Sequence, residues 1–361
     1  MKIKNIFIAV LVFETLCICK SYAEDQNNQV TPGGTVLFQT VFGRAGVLTK
    51  WSSNETYGTI QARINQEMAH KANADATGIT SGYTDSASVF VTPVSALVNL
   101  PGGRSFIAFN ASSTHSFERE SLTYGDFSLG AISIEYMNMP TDNFAWGIGA
   151  TFDAQNTDLN VSDGTVNSSN GGVRTDVLYK MNDHLAVSSR FAAMWGRTKT
   201  MVPIGFTDWK SEQDYTRLYW QTDLVGTLSH EDFSFINERW LVRPSLTTAI
   251  HRTERRGTID NLGAPVEADV INYTMIGASV RIEKPVFRPG AWSPQFEVGV
   301  EHEVENTYGH YADENSYLTT KIGFGRRFGK SSYLNVSYSR ADGFKGARRQ
   351  QALTTVYSIA F

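Results

Sequence analysis

The sequence has 361 residues, a formal net charge of −4 and two cysteines. The slightly negative charge argues against a role in nucleic-acid binding, which depends on clustered positive charge. The length fits either two ordinary domains or one long β domain, and aromatic residues make up 12% of the chain.

The first 23 residues are organised like a secretory signal peptide. Lys2 and Lys4 form a basic head, and residues 6–18 form an apolar stretch. Small residues at Ser21 and Ala23 then occupy the two positions that a signal peptidase reads. We therefore predict that the chain is exported and cleaved after Ala23.

Two other interpretations of this region are weaker. The apolar stretch is too short for a transmembrane anchor and is interrupted by Glu14, and the residues before Cys17 and Cys19 fit a lipoprotein site poorly. Because both cysteines lie in the predicted signal peptide, the mature chain has no disulfide, no thiolate metal site and no cysteine nucleophile. Three lysines and one glutamate leave with the peptide, which changes the net charge from −4 to −6.

Residues 24–99 form an N-terminal segment in which one helix is predicted near residues 52–78. Ser52 and Glu55 have the spacing of a capping box, and Gly78 suits a helix end. Apolar residues recur at helical spacing at Ile60, Ile64 and Met68. The helix is either a plug within the domain that follows, a remnant of an exported segment, or a short periplasmic helix.

From residue 100 to residue 361 the dominant pattern is alternation of apolar and polar residues. Residues 292–304 show it most clearly, because Phe296, Val298 and Val300 share one face while the glutamates share the other. No window after residue 23 is apolar enough for a membrane helix. The alternation instead predicts an all-β fold, a transmembrane antiparallel β-barrel with lipid-facing and lumen-facing residues on every strand. We predict about twelve strands: 104–117, 127–138, 144–154, 171–181, 184–196, 214–230, 237–252, 269–284, 291–304, 315–328, 331–340 and 351–361.

The links between these strands alternate between long and short, as in outer-membrane barrels with long extracellular loops and short periplasmic turns. The final strand places four large side chains on one face: Leu353, Tyr357, Ile359 and the terminal Phe361. A soluble β-sandwich would also alternate, but it has no reason for this ending or for these link lengths. We interpret the four residues as the signal for barrel assembly and expect the protein in the outer membrane of a Gram-negative bacterium.

Charged side chains at alternate positions are expected to face the lumen, since a Lys or Arg facing lipid at mid-bilayer would cost about 2–4 kcal/mol. Mixed signs favour a structural role over an ion path, which would need one dominant sign. The predicted lumen-facing residues are Arg174, Arg190, Arg217, Asp223, Arg239, Arg243, Arg281, Glu297, Glu301, Glu303, Lys321 and Arg327.

No motif for catalysis was found: G-x-S-x-G, H-E-x-x-H and the P-loop are all missing from the sequence. His251 and Thr253 share a strand face but fit polar residues of the barrel rim, and we find no match to the local motif of the outer-membrane phospholipase. His302 points away from Glu301 and Glu303 in a strand, so these three residues do not form a metal cluster. We therefore expect no enzyme activity, no cofactor and no metal.

Residues from about 100 to 361 resemble the autotransporter β-domain. The resemblance lies in Trp146-Gly147-Ile148-Gly149-Ala150 after a short turn, in Val242-Arg243-Pro244-Ser245-Leu246, in the stretch from Trp292 to Glu303, and in the final strand. It implies a translocator that anchors an N-terminal passenger, with a helix running through the lumen from the outside to the periplasm. The chain departs from the family in having only 76 residues, 24–99, for a passenger, which would therefore be short or lost.

Two alternatives to a translocator stay open from the sequence. One is a small diffusion porin, and the other is a surface adhesion or receptor barrel acting through the loops at 155–170, 197–213 and 253–268. The expected partners are outer-membrane lipid, the barrel assembly machinery and, for the second alternative, a surface partner. Occupancy of the lumen by residues 52–78 would best separate these functions.

Overall fold

The computed structural model describes residues 34–65, 85–118, 125–159, 163–284, 290–307, 314–328, 332–346 and 348–360. The predicted signal peptide, its cleavage after Ala23 and the terminal Phe361 lie outside these residues and stay predictions. The described residues form a closed β-barrel with a short helical segment before it.

The strands, in chain order, are β1 Asp85–Asn99, β2 Ser105–Glu118, β3 Gly125–Thr141, β4 Phe144–Leu159, β5 Gly164–Lys180, β6 Leu185–Ile204, β7 Thr207–Gly226, β8 Leu241–Arg255, β9 Thr258–Ile259, β10 Pro265–Val266, β11 Asp269–Glu283, β12 Trp292–Asn306, β13 Ser316–Phe328, β14 Ser332–Gly343 and β15 Arg348–Ala360. Strands β9 and β10 pair with each other as a small hairpin outside the barrel. The other strands pair antiparallel with their neighbours in sequence, and β15 closes the described barrel on β1 in parallel.

The described barrel thus has thirteen strands, one more than predicted. Each of the twelve predicted strands is present, and the additional strand is β1, so the predicted barrel boundary at residue 100 is wrong. β1 escaped prediction because its inward positions Val89, Val91 and Leu97 are apolar and buried like a core. Apolar residues on both faces hide the alternation that identifies a barrel strand.

Several predicted loops are also largely strand. Most of 155–170 and 197–213 belongs to the extended hairpins β4–β5 and β6–β7, which turn at Asp163 and at Gly205. Long hairpins lie at the same end of the barrel, and short turns such as 181–184 lie at the other. We name the short-turn end periplasmic, following the general topology of outer-membrane barrels.

The outside of the barrel carries an apolar belt. Side chains exposed on the outer face include Ile134, Ile148, Leu246, Ile322 and Phe324. Aromatic pairs such as Tyr136–Trp146 and Trp292–Phe324 lie towards the periplasmic turns. Because a closed wall with an apolar outer face satisfies its backbone hydrogen bonds in lipid, this is a barrel of the Gram-negative outer membrane.

No helix among the described residues is long and apolar enough to cross a membrane.

Among the described residues before β1, three helices lie inside the barrel: α1 Gly34–Arg44, α2 Val47–Ser53 and α3, residues 55–65. We call residues 34–65 the lumen segment. The predicted single helix over 52–78 is therefore wrong in its start, because Asn54 adopts a left-handed conformation with φ 48° and separates α2 from α3. Residues 66–78 of that prediction lie outside the described residues.

The lumen segment runs from the periplasmic end outwards. At its start, the Thr35 amide donates to the Asn99 side chain at the periplasmic end of β1, 3.0 Å away. Near its end, Arg63 donates to Tyr273 and Glu301, which lie farther out along β11 and β12. The predicted direction was the opposite. The physical reason is the extra strand: β1 runs inwards, so the segment before it must run outwards to reach its start.

Candidate functional site: the occupied lumen

At the periplasmic end, aromatic side chains of the lumen segment close the barrel. Phe38 packs between Trp51 and Phe106 of β2, with ring centroids 5.4 and 5.0 Å apart. Phe42 completes the group, and all four rings are buried. They join inward apolar residues of the wall: Leu97, Ala108, Met137, Met139, Ala145, Leu178, Ala186 and Val225. This end of the lumen is therefore filled by a small hydrophobic core.

Above this core, two arginines of the wall hold the turn between α1 and α2. Arg243 donates to the Arg44 carbonyl at 2.8 Å, and Arg281 donates to the Gly46 carbonyl at 3.5 Å. Both arginines also form ion pairs with Glu283. Gly46 has φ 82°, and a Cβ placed there would lie 2.5 Å from Arg243. A glycine at this position is therefore needed for both the turn and the contact.

A third arginine, Arg190, holds the break between α2 and α3. It donates to the Trp51 carbonyl at 2.6 Å and to the Asn54 side chain. Asp176 accepts from Arg190 at 2.9 Å and from Arg174 at 2.6 Å, and Arg174 also lies 2.8 Å from Glu135. The wall charges therefore neutralise one another while they hold the backbone of the segment.

In the first turn of α3, Tyr57 contacts a buried ion pair of the wall. Its hydroxyl donates to Asp153 at 2.6 Å and accepts from Arg217 at 3.1 Å. Arg217 is itself 3.1 Å from Asp153. The Tyr57 ring packs edge-on against Tyr219 with centroids 4.9 Å apart. This contact combines burial with charge-assisted hydrogen bonds, which are stronger than neutral ones.

At the outer end of the lumen segment, Arg63 is the main contact. It donates to Glu301 at 2.8 Å, to Tyr273 at 3.2 Å and to Gln350 at 3.0 Å. Its guanidinium also lies over the Tyr317 ring, 4.6 Å from the centroid. Arg63 thus links four strands of the wall, β11, β12, β13 and β15, through one side chain.

Two more ion pairs join the segment to strands β12 and β13. Lys50 lies 3.4 Å from Glu297, and Glu55 accepts from Lys321. Between this side of the segment and strands β11 to β15 lies a polar cavity of about 130 Å³, lined by the same charged groups and by threonines such as Thr59 and Thr319.

The structure brings most of the predicted lumen-facing residues into these contacts. Asp223 accepts from Gln221 and Thr247, and Glu303 accepts from Tyr273 and Tyr317. Arg327 is half-buried and lies on the inward-facing side of β13. The prediction that Arg239 faces the lumen is wrong, because this residue lies in the exposed turn before β8 and not on a strand.

Other predicted positions are placed as follows. Leu353, Tyr357 and Ile359 share the outward side of β15, and Leu353 is exposed there. His302 is exposed and contacts Ser316, on the opposite side from Glu301 and Glu303. No group of three metal-ligating side chains occurs among the described residues.

Several residues with lumen contacts were not among the predicted ones. Glu135 and Asp153 could have been found, because each alternates with outward apolar residues in its strand. Tyr57 and Arg63 could not, because they lie on a helix and their partners are distant in sequence.

No protein-family model matches the chain, and no curated protein matches its sequence. Among solved structures, the chain is similar to the β-domain of the Bordetella autotransporter BrkA, with a TM-score of 0.51, 13% identity and coverage of 70% of this chain and 96% of that one. It is also similar to the translocator domain of the autotransporter NalP from Neisseria meningitidis, with a TM-score of 0.49, 12% identity and coverage of 80% and 92%. A Pseudomonas aeruginosa FadL homologue matches with a TM-score of 0.41, 12% identity and coverage of 67% and 68%. The chain thus has an autotransporter β-domain-like fold, as its sequence predicted.

Proposed function

We propose that the protein is an outer-membrane anchor and conduit for a polypeptide, and that the lumen segment is the polypeptide it holds. The observation that carries this proposal is the set of ion pairs and hydrogen bonds between the segment and the wall. Lys50, Glu55 and Arg63 each meet an opposite charge on the wall. The role is not enzymatic, and its partners are outer-membrane lipid and the machinery that assembles barrels.

The occupied lumen supports this role over that of an open diffusion porin. A porin lumen is an aqueous channel, whereas here aromatic rings such as Phe38 and Trp51 fill the periplasmic end. The wall also binds backbone carbonyls of the segment through Arg190 and Arg243. Contacts with the main chain suit the holding of a polypeptide, because every polypeptide offers carbonyl groups.

The test uses planar bilayers and a peptide with the sequence of residues 34–65. The full mature chain should conduct poorly, and a variant lacking residues 24–65 should conduct well. Added peptide should reduce the conductance of this variant in a dose-dependent way. The matched control is a peptide of equal length carrying Lys50→Glu and Arg63→Glu, which should block only at much higher concentration because both charges would then face glutamates.

The variant must first show the heat resistance in detergent that is typical of a closed barrel. Equal conductance of the full chain and the variant would contradict the occupied lumen. Equal block by the two peptides would contradict specific binding of a polypeptide.

A further inference from the structure

The contact between β1 and β15 is unlike the rest of the described barrel. The two strands run parallel, a pairing that is slightly less stable per residue than the antiparallel one. Their pairing continues to Val91 and resumes at Val94, so Thr92 and Pro93 have no partner on β15. Proline also lacks the N–H that a ladder needs. The seam is therefore held less firmly than a continuous antiparallel pair of the same length.

The inner face of β1 fits the lumen segment better than it fits water. Val89 and Val91 belong to the same buried cluster as Ile60 and Ile64 of α3. Leu97 belongs to the cluster that contains Phe38 and Phe42 of α1. The inward positions of the flanking strands are mostly polar: Asn110, Ser112, Thr114 and Ser116 on β2, and Gln350, Thr354 and Ser358 on β15. β1 and the lumen segment thus share one apolar interface.

Strands β2 and β15 lie at matching heights on the two sides of β1. Ser95 of β1 pairs with Asn110 of β2 and with Ser358 of β15. β2 is antiparallel to β1 and β15 is parallel to it, so β2 and β15 run in opposite directions. Without β1 they would meet as antiparallel neighbours. The wall would then have twelve strands, the even number usual for single-chain outer-membrane barrels.

We propose that β1 is an exchangeable strand that leaves the wall together with the lumen segment, and that β2 and β15 then close a twelve-strand barrel. The inference rests on the proposed function and deepens it, because the polypeptide handled by the barrel then includes β1. When β1 leaves, its hydrogen-bonded pairings with β2 and with β15 are both lost, and one pairing between β2 and β15 is gained. The thirteen-strand state is therefore the resting state, and the open state is the minor one.

The experiment locks the seam with a disulfide in the full mature chain and records single channels in planar bilayers. Ser95 and Ser358 meet across the seam with hydroxyl oxygens 2.8 Å apart, so Ser95→Cys with Ser358→Cys should form a disulfide under oxidation. The matched control is Ser245→Cys with Ser279→Cys, a serine pair 2.7 Å apart between β8 and β11, where the wall does not exchange.

The parent chain should show rare openings to a high conductance. Oxidation of the seam variant should abolish these openings and reduction should restore them, whereas the oxidised control should open as often as the parent. Openings that persist in the oxidised seam variant would overturn the proposal, because the lumen segment would then move without β1. A parent that never opens, or seam cysteines that fail to join, would also overturn it. If the peptide of residues 34–65 does not block the channel but locking the seam still abolishes the openings, the proposed binding of a polypeptide is wrong. The exchange of β1 is then still supported.

Discussion

At the scale of single residues, the lumen depends on charges that are matched between the segment and the wall. Buried or half-buried charges are stable only when paired, because an unpaired charge loses its hydration without compensation. Arg63, Arg190 and Arg217 all satisfy this condition, because they pair with the wall carboxylates Glu301, Asp176 and Asp153. Loss of one partner should therefore weaken the hold on the segment more than loss of both.

The pair of Glu55 and Lys321 tests this at the residue scale. Glu55→Lys alone, or Lys321→Glu alone, should place like charges together and cost about 2 kcal/mol of segment binding. The resulting leak should appear as higher baseline conductance in planar bilayers. The double variant, with the charges exchanged, should return the conductance close to that of the parent. A double variant as leaky as either single variant would contradict a direct pair.

At the scale of elements, each barrel strand has one face for lipid and one for the lumen. β15 shows how depth changes the outward face. Arg349 lies near its outer end and pairs with Asp342, whereas Leu353 lies farther in and is exposed to the lipid. We therefore expect a charge to be tolerated at the rim of this strand and not at its middle.

Leu353→Arg should destabilise the barrel by about 2–4 kcal/mol, the cost of an arginine near the bilayer midplane. Gln351→Arg is the control on the same face nearer the rim, where the cost falls to about 0–1 kcal/mol. Urea unfolding in lipid vesicles would measure both. Similar losses of unfolding free energy for the two variants would mean that Leu353 does not lie deeper in the bilayer than Gln351.

At the scale of the whole molecule, the lumen segment runs through the barrel in the direction opposite to the predicted one. Residue 34 lies at the periplasmic end. The hairpin turns at Gly205, between β6 and β7, and at Gly263, between β9 and β10, lie at the other end. The hairpins join there, because Trp209 donates to Asp260 at 2.6 Å. The N-terminal end of the lumen segment is therefore inside the cell envelope while these hairpins face outwards.

Epitopes at Gly205 and Gly263 should be labelled on intact cells. Epitopes at Asp183 and immediately before Gly34 should be labelled only after the outer membrane is permeabilised. Labelling of all four positions in permeabilised cells controls for expression. An epitope before Gly34 that is reachable on intact cells would contradict the outward direction of the lumen segment.

The sequence by itself determined the class of fold, twelve of the described strands and most of the lumen charges. It could do so because a barrel wall has period two and its outer face must be apolar, so each strand carries its own signal. Glu297, Glu301 and Lys321 were predictable from their strands alone. The prediction for Arg239 was wrong because the residues of a turn next to a strand can continue the alternation of polar and apolar residues by chance.

Only the tertiary structure decided β1, the direction of the lumen segment and its partners. Val89 and Val91 are apolar because they face helix α3 and not water, and no local pattern announces a neighbour that lies elsewhere in the sequence. The direction of the segment followed from that one strand, since each added strand reverses the chain. The pairing of Arg63 with Glu301, 238 residues away, exists only once the barrel has closed around the segment.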